Sequence, residues 1–451
     1  MKKRIHLNAF ALATPSPQFS GMWKHPEDRS AAGFTRFDYW IGLAKILERG
    51  CFDALFFAAT MGVSDIFEGT ERAMIQNGIF TPQIDPVLLV SALASHTTHL
   101  GYAVTVNSSH NAPYQTARLF SSLDHLTEGR IAWNVVTSTP LYAAQNGVCE
   151  VTEHDTRYDR ADEYMEVCYK LWEKSWEDDA VVMDVKRDMF ADPSKVHRIN
   201  HQGEWFQVRG PHQVSPSPQR TPVIYQAGGS PRGTRFAGKH AEAVFLSQSS
   251  PERCASYVQQ VRQEAASQGR DPNNVKVLMG FRCAVAKDQA AVAKLQAELN
   301  QYGTADGTLG MFSAWTGIDT GSIPRDTKVA DLKGNAMLSV AKNATFISPH
   351  PDLTVGEVMD AIAENANGVK YIGTAEQIVD EMEALLETGI DGFNIVTSPH
   401  PGGYEAFVDY VVPVLQERGL FRKTYEESTL RERYLGKGQI RLPQGHPGTR
   451  L

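Results

Sequence analysis

Along the chain, short apolar runs rich in β-branched and aromatic residues alternate with stretches whose apolar positions recur every three or four residues. These are the periods of a buried strand and of an amphipathic helix. Ile5 to Phe10 precedes a helical pattern near Asp38 to Arg49, Ala54 to Ala58 precedes Pro86 to Thr97, and Leu100 to Val106 precedes Pro113 to Leu126. Arg130 to Val136 comes before Arg157 to Trp172, Pro222 to Ala227 before Arg232 to His240, and Ala243 to Leu246 before Pro251 to Gln268. Val275 to Arg282 and Gly392 to Val396 flank the helical Ala375 to Glu387. A strand followed by a helix implies a parallel sheet, because a parallel neighbour is reached only through a crossover. Eight such units with no break at the midpoint favour an α/β fold closed into a (β/α)8 TIM barrel over a doubly wound sheet.

A minimal barrel takes about 250 residues, and this chain has 451. It therefore reads as one barrel domain over 1–451 with insertions near 60–85, 139–155, 175–220 and 288–370 and a C-terminal tail at 418–451. All of these except 175–220 and the tail follow a strand, which assigns them to the barrel face where active sites form. A net charge of −8 with both signs scattered offers no basic stripe to nucleic acid or to an anionic membrane. No stretch has the length and apolarity of a membrane span. The cysteines Cys51, Cys149, Cys168, Cys254 and Cys283 are odd in number and widely spaced. That argues against a disulfide framework or a zinc site and for the cytoplasm.

The clearest chemical signal is the passage from Val223-Ile224-Tyr225-Gln226-Ala227 through Gly228-Gly229-Ser230-Pro231-Arg232-Gly233 into a helix. Glycines allow close approach of the backbone, Ser230 adds a hydroxyl, the helix start supplies aligned N–H groups, and Arg232 brings charge: an anion cradle suited to phosphate. Asn134 is an amide planted in the apolar strand from Arg130 to Val136. It either ties neighbouring strands together or faces the barrel mouth and reads the polar edge of a planar ring. His154 and Tyr158, four residues apart in a helix entrance with Asp155 as the expected N-cap, share a face; the pair is either an ordinary charged helix start or a second grip on the phosphate. A Walker loop, a Gly-x-Ser-x-Gly elbow, a His-Glu-x-x-His motif and a full dinucleotide fingerprint are all missing. The spaced pairs His96/His99 and His197/His201 read as surface or capping histidines, with no metal expected.

These segments, with Phe52-Asp53-Ala54-Leu55-Phe56, Leu123-Asp124-His125-Leu126-Thr127-x-Gly129-Arg130 and Pro218-Gln219-Arg220-Thr221-Pro222-Val223, resemble the bacterial luciferase-like flavin monooxygenases. More narrowly, the chain resembles the branch that holds nitrilotriacetate monooxygenase component A, dimethylsulfide monooxygenase and long-chain alkane monooxygenase. The likeness runs from Ile5-His6-Leu7-Asn8-Ala9-Phe10 to Gly436-Lys437-Gly438-x-x-Arg441-Leu442-Pro443. It implies a two-component oxygenase that binds FMN as FMNH2 without covalent attachment. A separate NAD(P)H:FMN reductase would supply the FMNH2, and one atom of O2 would enter a small organic substrate through a flavin peroxide. On that resemblance Gly228, Gly229, Ser230, His154 and Tyr158 hold the phosphate, Asn134 and Thr105 face the isoalloxazine, Ala58 and Ala59 line its other side, and Thr139 joins Asn134 and Thr105 as a catalytic position. A homodimer or homotetramer is implied as well.

The chain departs from the family pattern at Ala59, where many relatives carry aspartate, and at Ser138-Thr139, where the alkane enzymes carry Ser-His. It departs again at Ser64 and Phe80, which stand at Tyr and Gln positions. Ser64, Phe80, Phe312 and Trp315 are the expected substrate surface, small and largely apolar, with core packing as the other reading. The 288–370 insertion, with Gly303, Gly307, Gly310, Gly317 and Gly321, reads as a mobile cover over the site. A barrel hydrolase or lyase acting on a phosphorylated substrate, and a flavin-binding protein without catalysis, are the alternatives.

Overall fold

A computed structural model describes residues 4–16, 18–137, 145, 153–247, 250–328, 331, 353–364 and 368–451. Eight parallel strands alternate with helices: β1 (His6–Leu12), α1 (Phe37–Arg49), β2 (Ala54–Ala58), α2 (Val87–Ala94), β3 (Gly101–Asn107), α3 (Pro113–Leu126), β4 (Ile131–Val136), α4 (His154–Tyr169), β5 (Val223–Gln226), α5 (Pro231–His240), β6 (Ala243–Leu246), α6 (Pro251–Ser267), β7 (Lys276–Val285), α7 (Ala375–Leu386) and β8 (Gly392–Thr397). Neighbours pair in chain order, and β8 pairs back to β1, with His6 opposite Gly392 and Asn8 opposite Asn394. The sheet is thus the closed TIM barrel that the strand–helix rhythm predicts.

Closure buries both faces of each strand, which is why the strands read as near-continuous apolar runs. In β2, Ala54 and Phe56 point into the barrel with Ala103, Ala132, Val223, Tyr225, Ala243 and Leu278. Leu55 and Phe57 point outward into the helical layer with Trp40, Leu43 and Leu47 of α1. Small residues in the lower interior leave room for a stopper contributed by the tail. Leu430 and Tyr434, from the helix Leu430–Leu435, lie inside the same interior cluster. Tyr434 Oη donates to Asn8 Oδ1 at 3.1 Å and meets Tyr225 Oη.

Beside that stopper Arg431, fully buried, pairs with Glu242 at 2.6 Å and donates to the carbonyls of Thr221, Pro222, Gln219 and Ile440. Arg422 closes on Asp53 at 2.7 Å. Burial opposes ionisation of Asp53, yet Arg422 and then His6 hold its carboxyl well below the usual range. The tail is therefore the floor of the barrel, at the end away from the strand C-termini.

The 60–85 and 288–370 insertions leave the C-terminal ends of β2 and β7 and pack on each other. The helix Ala305–Thr316 lies against Arg72–Asn77. Thr304 Oγ1 donates to Asn77 Oδ1 at 3.0 Å, and Asp319 Oδ1 accepts from Glu68 N at 2.9 Å. Two of the glycines in the expected cover are closely packed. Gly307 sits inside that helix where a Cβ would strike Ser20 Oγ, and Gly310 packs on Met74 and Ala73. They permit close packing, and the described part of the cover is docked.

The 175–220 insertion forms two small antiparallel hairpins, Val181–Asp184 with Met189–Ala191 and His201–Gln202 with Gln207–Val208. A ninth parallel strand, Tyr371–Gly373, extends β7 outside the barrel. Among the described residues no helix is long and apolar enough to cross a membrane. The four described cysteines, Cys51, Cys168, Cys254 and Cys283, are buried and form no disulfide with one another.

Candidate functional site

Beyond the C-terminal end of β5 the chain enters the glycine turn and then α5. Ser230 is the N-cap of α5: its Oγ accepts from Gly233 N at 3.0 Å, and Pro231 holds the first helical position. Such a cap satisfies one of the orphan donors of the first turn. The backbone N–H groups of Gly229 and Ser230 have no acceptor among the described residues. Gly228 is hemmed in on the other side. A Cβ there would run into Gln226 Nε2 and lie 3.1 Å from Tyr158 Oη, and one on Gly233 would lie 2.9 Å from the same phenol. The turn is thus tight against Gln226 and Tyr158 at Gly228 and Gly233 and carries unclaimed donors at Gly229 and Ser230.

Tyr158 and His154 do share a face of α4, with ring centroids 5.2 Å apart. The buried Tyr158 ring reaches the turn, and burial raises its phenol above the ordinary value, so it stays a donor. Asp155 does not cap α4. Glu153 occupies the N-cap position without a side-chain bond, and Asp155, already in the first turn, pairs with His154 Nδ1 at 2.7 Å.

Arg232 also differs from its expected use. Its guanidinium lies over the Tyr158 ring and pairs with Asp159 at 2.8 Å and Asp162 at 2.6 Å. Its charge is matched inside the protein, so the donors left at the turn are backbone N–H and hydroxyl groups. Asp162 also takes Lys239 at 2.9 Å and His240 at 2.6 Å, which fastens both ends of α5 to α4.

Across the mouth, Asn134 and Thr105 are register partners on β4 and β3. Asn134 Nδ2 donates to Thr105 Oγ1 at 2.9 Å, and Thr105 donates to Phe57 O at 2.9 Å. Asn134 Oδ1 is buried with no partner among the described residues. The amide thus does tie strands, and it also keeps one acceptor unused. Thr139 lies outside the described residues.

Ala58 is half-buried at the end of β2, in contact with the barrel interior and with the apolar wall of the insertions; Ala59 follows it at the rim. That wall gathers Leu12, Met74, Ile79, Phe80 and Met311 with Trp315, whose ring lies 6.0 Å from Phe80. Phe80 has φ of +55°, a left-handed backbone that is costly for a bulky side chain. Phe312 packs in a neighbouring cluster with Phe67, Leu309, Ile318 and Val355. Ser64 is buried and its Oγ accepts from Ile66 N at 3.4 Å.

Two contributors had no signal in the sequence. Gln226 packs under Gly228 with Oε1 buried and unpartnered, and Tyr257 of α6 donates to Gly228 O at 2.9 Å. Among the described residues no three His, Cys, Asp or Glu side chains group as metal ligands. His201 is buried against Glu163 at 3.1 Å and is not the surface histidine its spacing suggested.

A closed parallel barrel with a glycine-rich turn beyond its strand ends has the frame of the α/β-barrel enzymes, whose sites lie at the C-terminal face. The chain belongs to the luciferase-like monooxygenase family, whose model matches residues 18–392. It is 42% identical to the long-chain alkane monooxygenase of Geobacillus thermodenitrificans strain NG80-2, across 100% of this chain and 98% of that protein. The crystal structure of long-chain alkane monooxygenase superposes with a TM-score of 0.92, covering 100% of both chains. The dimethyl-sulfide monooxygenase of Hyphomicrobium sulfonivorans is 40% identical, across 99% of this chain and 93% of that one. A riboflavin lyase solved with modified FMN and riboflavin matches at 35% identity and a TM-score of 0.91, covering 99% of each chain.

Proposed function

We propose that this chain is the oxygenase component of a two-component monooxygenase that binds FMNH2 and inserts one oxygen atom from O2 into a small, largely apolar organic molecule. The observation that carries this reading is the glycine turn. Unclaimed N–H donors on Gly229 and Ser230, beside the protonated Tyr158, match a phosphate monoester, which accepts hydrogen bonds on every terminal oxygen. The rest of a mononucleotide also finds chemistry to fit. Asn134 Oδ1 is a buried acceptor without a donor, and a flavin ring carries N–H groups at its polar edge.

When bound, reduced flavin supplies the electrons that activate O2; the protein holds, orients and keeps water away. Gly228, Gly229, Ser230 and Tyr158, with His154 beside Tyr158, grip the phosphate end. Asn134 and Thr105 orient the ring, with Thr139 as a further catalytic position, and Ala58 and Ala59 leave space for its other face. Phe80 and Trp315, joined by Ser64 and Phe312, form the wall against which the substrate rests. Relatives named for an alkane and for a thioether support an apolar substrate class.

The family likeness implies a separate NAD(P)H-dependent reductase, and the lack of a dinucleotide fingerprint in the sequence agrees with it. A homodimer or homotetramer and a cytosolic setting belong to the same reading. The test is to mix the protein with FMN, a flavin reductase, NADH and 18O2 and to screen thioethers, alkanes, haloaromatics and amines. Substrate-dependent 18O incorporation supports the reading, and no affinity for reduced FMN removes it.

A further inference from the structure

The carbonyl of Gly228 and the N–H of Gly229 belong to one trans peptide, so they point in opposite directions. Tyr257, buried on α6, donates its hydroxyl to Gly228 O at 2.9 Å. That bond turns the carbonyl toward α6 and Gly229 N–H the other way, out of the exposed side of the turn. Gln226 Nε2 and Tyr158 Oη fill the space a Gly228 side chain would take, so the turn is packed on that side. Burial lifts the Tyr257 phenol above its ordinary value, so it remains a donor throughout the working range.

We propose that Tyr257 is a positioning residue of the phosphate site, holding Gly228 O so that Gly229 N–H is aimed at the anion before the anion arrives. This rests on the reading of the turn as the cradle for the FMN phosphate. A peptide dipole fixed in advance needs no reorganisation on binding. Without the hydroxyl, the same peptide can rotate and present its carbonyl oxygen, a partial negative charge, to a dianion. The cost then falls on ligands that carry the phosphate and spares those that lack it.

The experiment uses the full chain under anaerobic conditions, with reduced FMN and reduced riboflavin as paired probes for the wild type and Tyr257→Phe. Loss of one charge-assisted hydrogen bond predicts about tenfold weaker FMN binding and unchanged riboflavin binding. Equal loss for both flavins makes Tyr257 a packing residue and overturns the proposal, as does no loss for either. Should Tyr257→Phe fail to fold, Tyr257→Gln, which keeps an N–H donor, is compared with Tyr257→Leu, which has none. A higher FMN preference in the glutamine variant supports the proposal and equal preference in the two overturns it. A wild type that binds both flavins equally sinks the cradle reading and this inference with it.

Discussion

Asn134 donates to Thr105 at 2.9 Å across two neighbouring strands, and the Thr105 hydroxyl in turn donates to Phe57 O. The donors run in one direction across β4, β3 and β2, which fixes the amide and leaves Oδ1 as its free end. Asn134→Ala is expected to leave reduced FMN affinity within a few-fold while lowering substrate oxygenation and raising H2O2 release. Thr105→Val, which frees the amide to rotate, is expected to give a milder form of the same change. Anaerobic flavin titration alongside coupled turnover checks both; lost binding with intact coupling would make Asn134 a strand tie only.

Ser230 has two duties that one substitution separates. Its Oγ caps α5 through Gly233 N and meets the Tyr158 phenol, and on the proposed reading its hydroxyl donates to the phosphate when flavin binds. Ser230→Ala is expected to lower folding stability by about 1 kcal/mol through the cap and to weaken reduced FMN by a further 1 to 3 kcal/mol, roughly, through the charge-assisted bond. Ser230→Gly keeps most of the cap stability and shows the binding loss alone. Urea unfolding of the flavin-free chain and flavin titration read the two effects separately.

The buried pair Arg431–Glu242 ties the tail to the bottom of β5 and β6. Arg431→Leu strands the Glu242 carboxylate without a counterion, and roughly 3 to 5 kcal/mol of stability is expected to go with it. Replacing both partners by apolar residues is expected to restore much of that. Denaturant midpoints for the two single variants and the double variant decide whether the cost belongs to the unpaired charge or to the lost tail contact.

Acid stability has a definite sign. Burial pushes His212 down to about 4, and His240 to about 4 against the pull of Asp162. In the unfolded chain both take a proton near pH 6.5, so unfolding takes up protons between these values. Stability is complete above about pH 6.5 and falls by roughly 3 kcal/mol for a group like His212 as the pH approaches 4. Below that, Asp53 and Asp162, held under the usual carboxylate range, carry the loss further. Urea unfolding at half-unit steps checks this; a flat profile from 6.5 to 5 contradicts it.

The barrel was legible because each strand is buried on two sides and each helix on one, and those periods survive in the linear order. The strand, turn and helix start around Ser230 were legible because an apolar run, two glycines and a Ser-Pro pair are local signals. What stayed hidden has no local trace. Tyr434 meets Asn8 from 426 residues away and Arg431 reaches Glu242 across 189. Tyr257 is one more apolar position on an amphipathic helix until its hydroxyl is seen on Gly228. Arg232 looked like a free cation because Asp159 and Asp162 lie on a different element. The close packing of Gly307 was hidden because sequence does not distinguish a glycine chosen for freedom from one chosen for close approach.

The tail residues that seal the base, 430 to 435, are translated after all eight strands. A nascent barrel thus lacks the arginine partners of Glu242 and Asp53 until residues 422 to 435 have left the ribosome. A change in that segment acts on the footing of the strands that present Asn134 and the glycine turn, although it lies at the opposite end of the cylinder from either.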